Sequence, residues 1–206
     1  MEGLSQARLN RSFGAVVIGA SAGGIAAITT ILPALPATFP VPIVVVLHQH
    51  PGGGTGWTDY LGRQTALAVV EVEDKMPLAA GTIHCAPPGY HLLMEQDGSF
   101  ALSVDEKVHY ARPSIDLLFS SAADAFGPAL IGVILTGAND DGAEGLAEIA
   151  AHGGVAVVQS LQSAAWPAMP AAALQAVPPA LVVDLEAMAT TLIALTSPLP
   201  KDLTHA

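Results

Sequence analysis

Apolar residues along this chain fall into short runs bounded by glycine, proline and polar positions, and two periodicities alternate among them. Strand-like runs cover residues 15–18, 43–47, 68–72, 130–135, 155–159 and 181–183. Most of the intervals carry helical spacing instead, at residues 24–35, 56–64, 114–125, 142–152, 169–176 and 185–195. Such β-then-α repetition predicts a mostly parallel, doubly wound sheet with helices on both faces, a three-layer α/β fold. The centre differs: residues 82–86, 90–95 and 100–104 are short and separated by "PPG" and "QDGS", which is turn chemistry. They predict antiparallel β-structure inserted at one edge of the sheet. Residues 13–196 read as one catalytic-size domain, between an N-terminal tail at 1–12 and a C-terminal tail at 197–206.

Composition narrows the function classes. At 206 residues, 51% hydrophobic and 12% charged, the chain can bury a full multilayer core. No apolar run reaches the roughly 18 residues of a membrane span, and "MEGLSQARLNRSF" lacks the apolar stretch of a secretory signal. A cytoplasmic location is expected. Cys85 is the single cysteine, which excludes an intrachain disulfide or a cysteine zinc cluster and points to a buried thiol. Seven Lys and Arg against 18 Asp and Glu give a formal charge of −11, which repels phosphate backbones and anionic lipid, so neither nucleic acid nor membrane is expected as a partner.

The stretch "GAVVIGASAGGIAA" at residues 14–27 runs a strand into a glycine-rich turn and then a helix. A dinucleotide fingerprint needs glycine where Ser21 stands between Gly19 and Gly24, and a P-loop needs lysine where Ile25 follows Gly24. Both phosphate templates fail. Gly19-Ala20-Ser21-Ala22-Gly23 does fit G-x-S-x-G, the turn that projects a serine hydroxyl from the top of a parallel sheet.

Two other strand ends supply partners. His48 closes "IVVVLHQHPGGG", and C-terminal ends of parallel strands share one edge, so its imidazole can stand beside Ser21 and take the hydroxyl proton. A metal pair of His48 with His50 lacks a third ligand cluster. "GVILTGANDDGAEG" carries Asp140 and Asp141 to the same edge, where either can orient the imidazole; helix N-capping accounts for at least one of them without catalysis. The chain order Ser, His, Asp departs from the Ser, Asp, His of an α/β-hydrolase.

These residues resemble the catalytic domain of the CheB-type chemotaxis-receptor methylesterases. The resemblance spans about residues 14–184 and rests on "VVIGASAGG", "VVVLHQHP", "GTIHCAPPGYHLLM", "RPSIDLLFSSAA" and "GVILTGANDDGAEGL" in that family's order. It implies Ser21 as nucleophile, His48 as general base and acid, and Asp141 as the orienting carboxylate, with Asp140 at a variable position. The implied reaction is hydrolysis of γ-glutamyl methyl esters on chemotaxis receptors, with related glutamine deamidation, and no metal or cofactor. The implied partners are a methyl-accepting receptor as substrate and a separate receiver protein as regulator, since only about a dozen residues precede the first strand and no receiver domain is expected in the chain.

Three departures from the family pattern bear on the substrate surface. Ala138 and Asn139 stand where methionine and glycine are common, "QSLQSAAWPAMPAAA" replaces an acidic, amide-rich segment, and Ala171 replaces a basic residue. An esterase for another ester and a catalytically silent binding module are the alternative functions. Arg63, Lys75, Lys107 and Arg112 are the cations available to meet an acidic substrate. "RPSID" reads as a helix start, with Pro113 at its first position and Ser114 and Asp116 in its first turn, more than as a cleft lining.

Overall fold

The computed structural model describes residues 12–48 and 56–197. Nine strands and six α-helices are seen among them: β1 (Ala15–Ala20), α1 (Gly24–Ile31), β2 (Ile43–Leu47), α2 (Gly56–Gly62), β3 (Ala68–Glu71), β4 (Thr82–Cys85), β5 (His91–Met94), β6 (Phe100–Ser103), α3 (Ile115–Phe126), β7 (Leu130–Ile134), α4 (Ala143–Ala151), β8 (Val155–Gln159), α5 (Ala168–Ala176), β9 (Leu181–Val183) and α6 (Leu185–Thr196). The apolar pattern located each of the predicted helices; the first ends at Ile31 because Pro33 lets only a short 3-10 turn, Leu32–Ala34, follow.

Seven strands form one sheet in the order β3-β4-β2-β1-β7-β8-β9, with every neighbouring pair parallel. The chain leaves β1 toward β2 on one side and returns to β7 on the other, so the strand order reverses at β1. Alternation along the strands feeds two cores. Val16, Ile18, Ile43, Val45, Ile131 and Val133 face α1, α2 and α6, where Ile28, Ile31, Leu61, Met188 and Leu192 are buried. Val17, Val44, Val46, Leu130 and Ile134 face α3, α4 and α5, against Ile115, Phe119, Leu146, Ile149 and Met169. Each such aliphatic side chain, fully buried, stabilises the fold by about 1.5–3 kcal/mol before conformational entropy is subtracted.

The central segment corrects the sequence expectation in part. Residues 82–86 do not join an antiparallel unit: β4 lies inside the main sheet, parallel to both β2 and β3. Ile83, His84 and Cys85 are buried, as expected for a strand covered on both sides. Among the described strands β5 and β6 alone pair antiparallel, as a separate two-stranded ribbon, with a single antiparallel bridge from Pro77 to Ser99 beside it. It packs on α3, where the Met94 amide donates to the Ser121 hydroxyl at 3.1 Å and Leu92, Met94 and Phe100 join the second core. Cys85 is buried, and burial pushes its thiol above the ordinary range, which suits a packing role.

Candidate active site

The turn after β1 is set by close packing. Gly23 has φ +77 and precedes α1 as its N-cap, a left-handed conformation that favours glycine. Gly24 has no room for a side chain: a Cβ there would stand 2.6 Å from Leu47 Cδ1 and 2.8 Å from Ala20 Cβ. Between β1 and this turn, the Ser21 amide donates to Thr136 O at 3.0 Å and its carbonyl accepts from Gly24 at 2.8 Å. Ser21 therefore stands at the sheet edge with the positive end of α1 beginning three residues later.

On the neighbouring strand, the His48 amide donates to Ala20 O at 3.0 Å, which seats the residue beside the end of β1. Its imidazole Nε2 lies 2.7 Å from Asp141 Oδ2, with the His48 side chain 12% exposed and Asp141 fully buried. His50, the other histidine of that segment, lies outside the described residues.

Asp141 is held from four directions. Besides His48, its carboxylate accepts from the Ser114 hydroxyl at 2.9 Å, the Ile115 amide at 2.8 Å and the Asp116 amide at 3.0 Å. Burial alone would raise its pKa, but the His48 hydrogen bond and the two α3 amides outweigh burial and hold the carboxyl below the usual carboxylate range. An ionised carboxylate only accepts, so His48 Nε2 carries the proton and Nδ1 is left as the basic nitrogen.

Helix N-capping, the other explanation for these aspartates, takes a different form in the structure. The N-cap of α4 is Gly142, at φ +98 and without a side-chain cap. Asp141 instead serves the N-terminus of α3, whose own cap is Ser114; Pro113 thus precedes the cap and is not the first helical residue. Asp140, 66% exposed on its side chain, pairs instead with His109, its Oδ1 lying 3.3 Å from His109 Nδ1.

Ser21 and His48 line a cleft of about 420 Å³ together with Ala22, Lys107, Tyr110 and Asn139. Arg112 also borders it, its Nη1 donating to Val104 O at 2.6 Å and Asp105 O at 2.8 Å. Of the four cations named from sequence, Lys107 and Arg112 reach the cleft, whereas Lys75 is bound to Glu95 at 2.8 Å and Arg63 follows α2. Asn139 Oδ1 is buried with no partner among the described residues. Behind Ser21 and His48 a second cavity of about 520 Å³ opens toward α1, lined by Ile25, Leu47 and Tyr60 among others.

His109 and Tyr110 carry no motif that marks them in the sequence, yet both border the first cleft. Both have positive φ, 48 and 62, and the bonds Val108 N to Ala111 O (3.2 Å) and Ala111 N to Val108 O (2.8 Å) close a tight turn around them. Left-handed geometry costs non-glycine residues about 1–2 kcal/mol each, and no local sequence signal marks it. Asp116 appeared only as helix-start chemistry, yet its Oδ1 accepts from Gly145 of α4 at 2.7 Å and its buried Oδ2 lies 3.6 Å from His109 Nε2. Burial is the main reason its pKa is pushed up to about 6, with the charge of Asp141 adding to it.

A doubly wound sheet that gathers a serine hydroxyl, an imidazole and a buried carboxylate at its topological switch point has the layout of acyl-transferring hydrolases. Comparison with known proteins defines the kind: the model of the CheB methylesterase family matches residues 16–192, and the chain belongs to that family. It is 45% identical over 184 residues to a Leptospira interrogans protein with the provisional name protein-glutamate methylesterase/protein-glutamine glutaminase, covering 89% of this chain and 95% of that one. With the protein-glutamate methylesterase FrzG of Myxococcus xanthus the identity is 41% over 155 residues, covering 75% of this chain but 46% of FrzG. The chain thus spans nearly all of the first relative and about half of the second. The crystal structure of the Thermotoga maritima CheB methylesterase catalytic domain superposes with a TM-score of 0.85 at 32% identity, over 90% of this chain and 100% of that one.

Proposed function

We propose that this protein hydrolyses γ-glutamyl methyl esters on methyl-accepting chemotaxis receptors, and deamidates glutamine at such sites, with Ser21, His48 and Asp141 as its catalytic residues. The observation that carries the reading is the 2.7 Å contact of His48 Nε2 with buried Asp141, together with the cleft that His48 and Ser21 both line. The names of the Leptospira and Myxococcus relatives support the substrate class.

In the first half-reaction His48 Nδ1 accepts the Ser21 proton as Oγ attacks the ester carbonyl. Negative charge that develops on the carbonyl oxygen meets backbone amides at the start of α1. The imidazolium, stabilised by Asp141, then donates its proton to the leaving methoxide, so methanol departs and a glutamyl-Ser21 ester remains. Water attacks that ester with His48 again as base, releasing glutamate and restoring the serine. With a glutamine substrate ammonia leaves in place of methanol. No step requires a metal or cofactor.

A receiver protein acting on the cleft face is the regulatory partner of this reading, and a cytoplasmic location goes with it. Among the described residues no helix is long and apolar enough to cross a membrane. The test is release of labelled methanol from methyl-labelled receptor membranes by the purified chain. The expected result is release that requires the protein; methyl groups left on the receptor while a small ester is cleaved would move the activity to another ester.

A further inference from the structure

Tyr110 is 97% exposed although it borders the cleft that holds Ser21 and His48. A large aromatic ring displayed this fully is not placed by burial, and other forces must hold its backbone. Three sets of contacts do so. The reciprocal Val108 and Ala111 bonds close the turn. His109 sits between Asp140 on one side, at 3.3 Å, and Asp116 on the other, at 3.6 Å. Arg112 anchors the following residues to the carbonyls of Val104 and Asp105. Backbone strain that is over-determined in this way, next to a reactive hydroxyl, concentrates at sites of function.

We infer that the turn at residues 108–111 is a rigid docking element for the receptor, and that Tyr110 is a specificity-determining residue that packs against the substrate segment flanking the methylated glutamate. The inference rests on the proposed methylesterase reading and adds to it the contact that selects a protein over a small ester. Charge supports that occupant: Lys107 and Arg112 place cations at this lip of a protein whose formal charge is −11, where an acidic segment is otherwise repelled. With its backbone held before binding, a tyrosine has only two side-chain torsions left to fix on contact, which is why such rings dominate interface energetics at low entropic cost.

The experiment compares kcat/KM for methyl-labelled receptor membranes with kcat/KM for the γ-methyl ester of N-acetylglutamate, in wild type, Tyr110→Ala, Tyr110→Phe and Tyr90→Ala. Tyr90 is a surface aromatic in the loop before β5, outside the cleft lining. The receptor-to-small-ester ratio is expected to fall at least about tenfold in Tyr110→Ala, chiefly through KM for the receptor, and to hold in Tyr110→Phe and Tyr90→Ala. An unchanged ratio in Tyr110→Ala, or an equal fall on both substrates, overturns the inference while leaving the esterase reading in place. A wild type that cleaves the small ester and spares the receptor removes the substrate reading and this inference together.

Discussion

Asp141 and Asp116 exchange helices: Asp141, in the turn before α4, accepts from the amides of Ile115 and Asp116 at the start of α3, while Asp116 accepts from Gly145 in the first turn of α4. The carboxylate hydrogen-bonded to His48 is thereby built into the joint between two helices. Removing it has two separable effects. Asp141→Ala leaves two amides and the Ser114 hydroxyl unsatisfied in the interior, at roughly 1–3 kcal/mol per orphaned group. It also removes orientation without removing a reacting group, so ester turnover falls on the order of a thousandfold or more but does not vanish, whereas Ser21→Ala and His48→Ala remove nearly all of it. Urea unfolding alongside ester hydrolysis separates the two; an Asp141→Ala protein of full activity contradicts the assignment.

Asp140→Ala has a different expected outcome. Its exposed carboxylate faces His109, so stability changes by no more than about 0.5 kcal/mol and small-ester turnover falls far less than in Asp141→Ala. If Asp140→Ala proves the more damaging change, the neighbouring acid carries the orienting role.

Stability should also depend on pH through Asp116. Its carboxyl is raised from 3.8 to about 6 in the fold, facing Asp141, His109 and the Gly145 amide, with Asp140 beyond His109. The folded state then binds a proton that the unfolded chain has released. This contribution is present below about pH 4 and is lost as pH rises through about 6. Asp141 has the opposite sign: its depressed pKa stabilises the fold above the ordinary carboxylate range and the contribution is lost on further acidification. Asp116→Asn keeps an acceptor for Gly145 and imitates the protonated acid. Relative to wild type, its unfolding free energy should increase between pH 4.5 and pH 7; a pH-independent difference contradicts this.

Much of this site was legible because chemistry and topology coincide. Glycines around Ser21, a histidine closing the next apolar run and paired aspartates after "LTG" each mark a strand end, and parallel strands bring their ends to one edge. What stayed illegible is what short runs cannot encode. Residues 82–86 are too few to reveal pairing direction, because the turn signals around them say where a strand stops and nothing about its neighbour. The capping of α3 by Asp141 joins residues 26 apart in sequence, so local rules assigned the acid to the helix that follows it. The left-handed turn at His109 and Tyr110 depends on contacts with Asp140 and Asp116 that no local preference anticipates.

Glycine substitutions test the tightness of the turn below Ser21. Gly62→Ala in α2 meets nothing nearer than Val69 Cβ at 3.7 Å and should stabilise by about 0.4–1 kcal/mol, the usual consequence of restricting the unfolded chain. Gly24→Ala has the opposite sign, because its Cβ would overlap Leu47 and Ala20, and overpacking costs about 1–3 kcal/mol. It should also slow ester hydrolysis by displacing Ser21. Denaturant midpoints with turnover rates check both; a stabilised, fully active Gly24→Ala protein contradicts the packing described.

The central claim is that Ser21 is the atom donor of the acyl-enzyme, and one measurement addresses it directly: a fluorophosphonate that labels activated serines, with the modified peptide mapped by mass spectrometry and methanol release from receptor membranes followed in parallel. A single adduct on Ser21 is expected, with methanol release that falls in step with labelling and neither adduct nor release in Ser21→Ala. Methanol release that survives in Ser21→Ala, or a stoichiometric adduct on another serine, would contradict it.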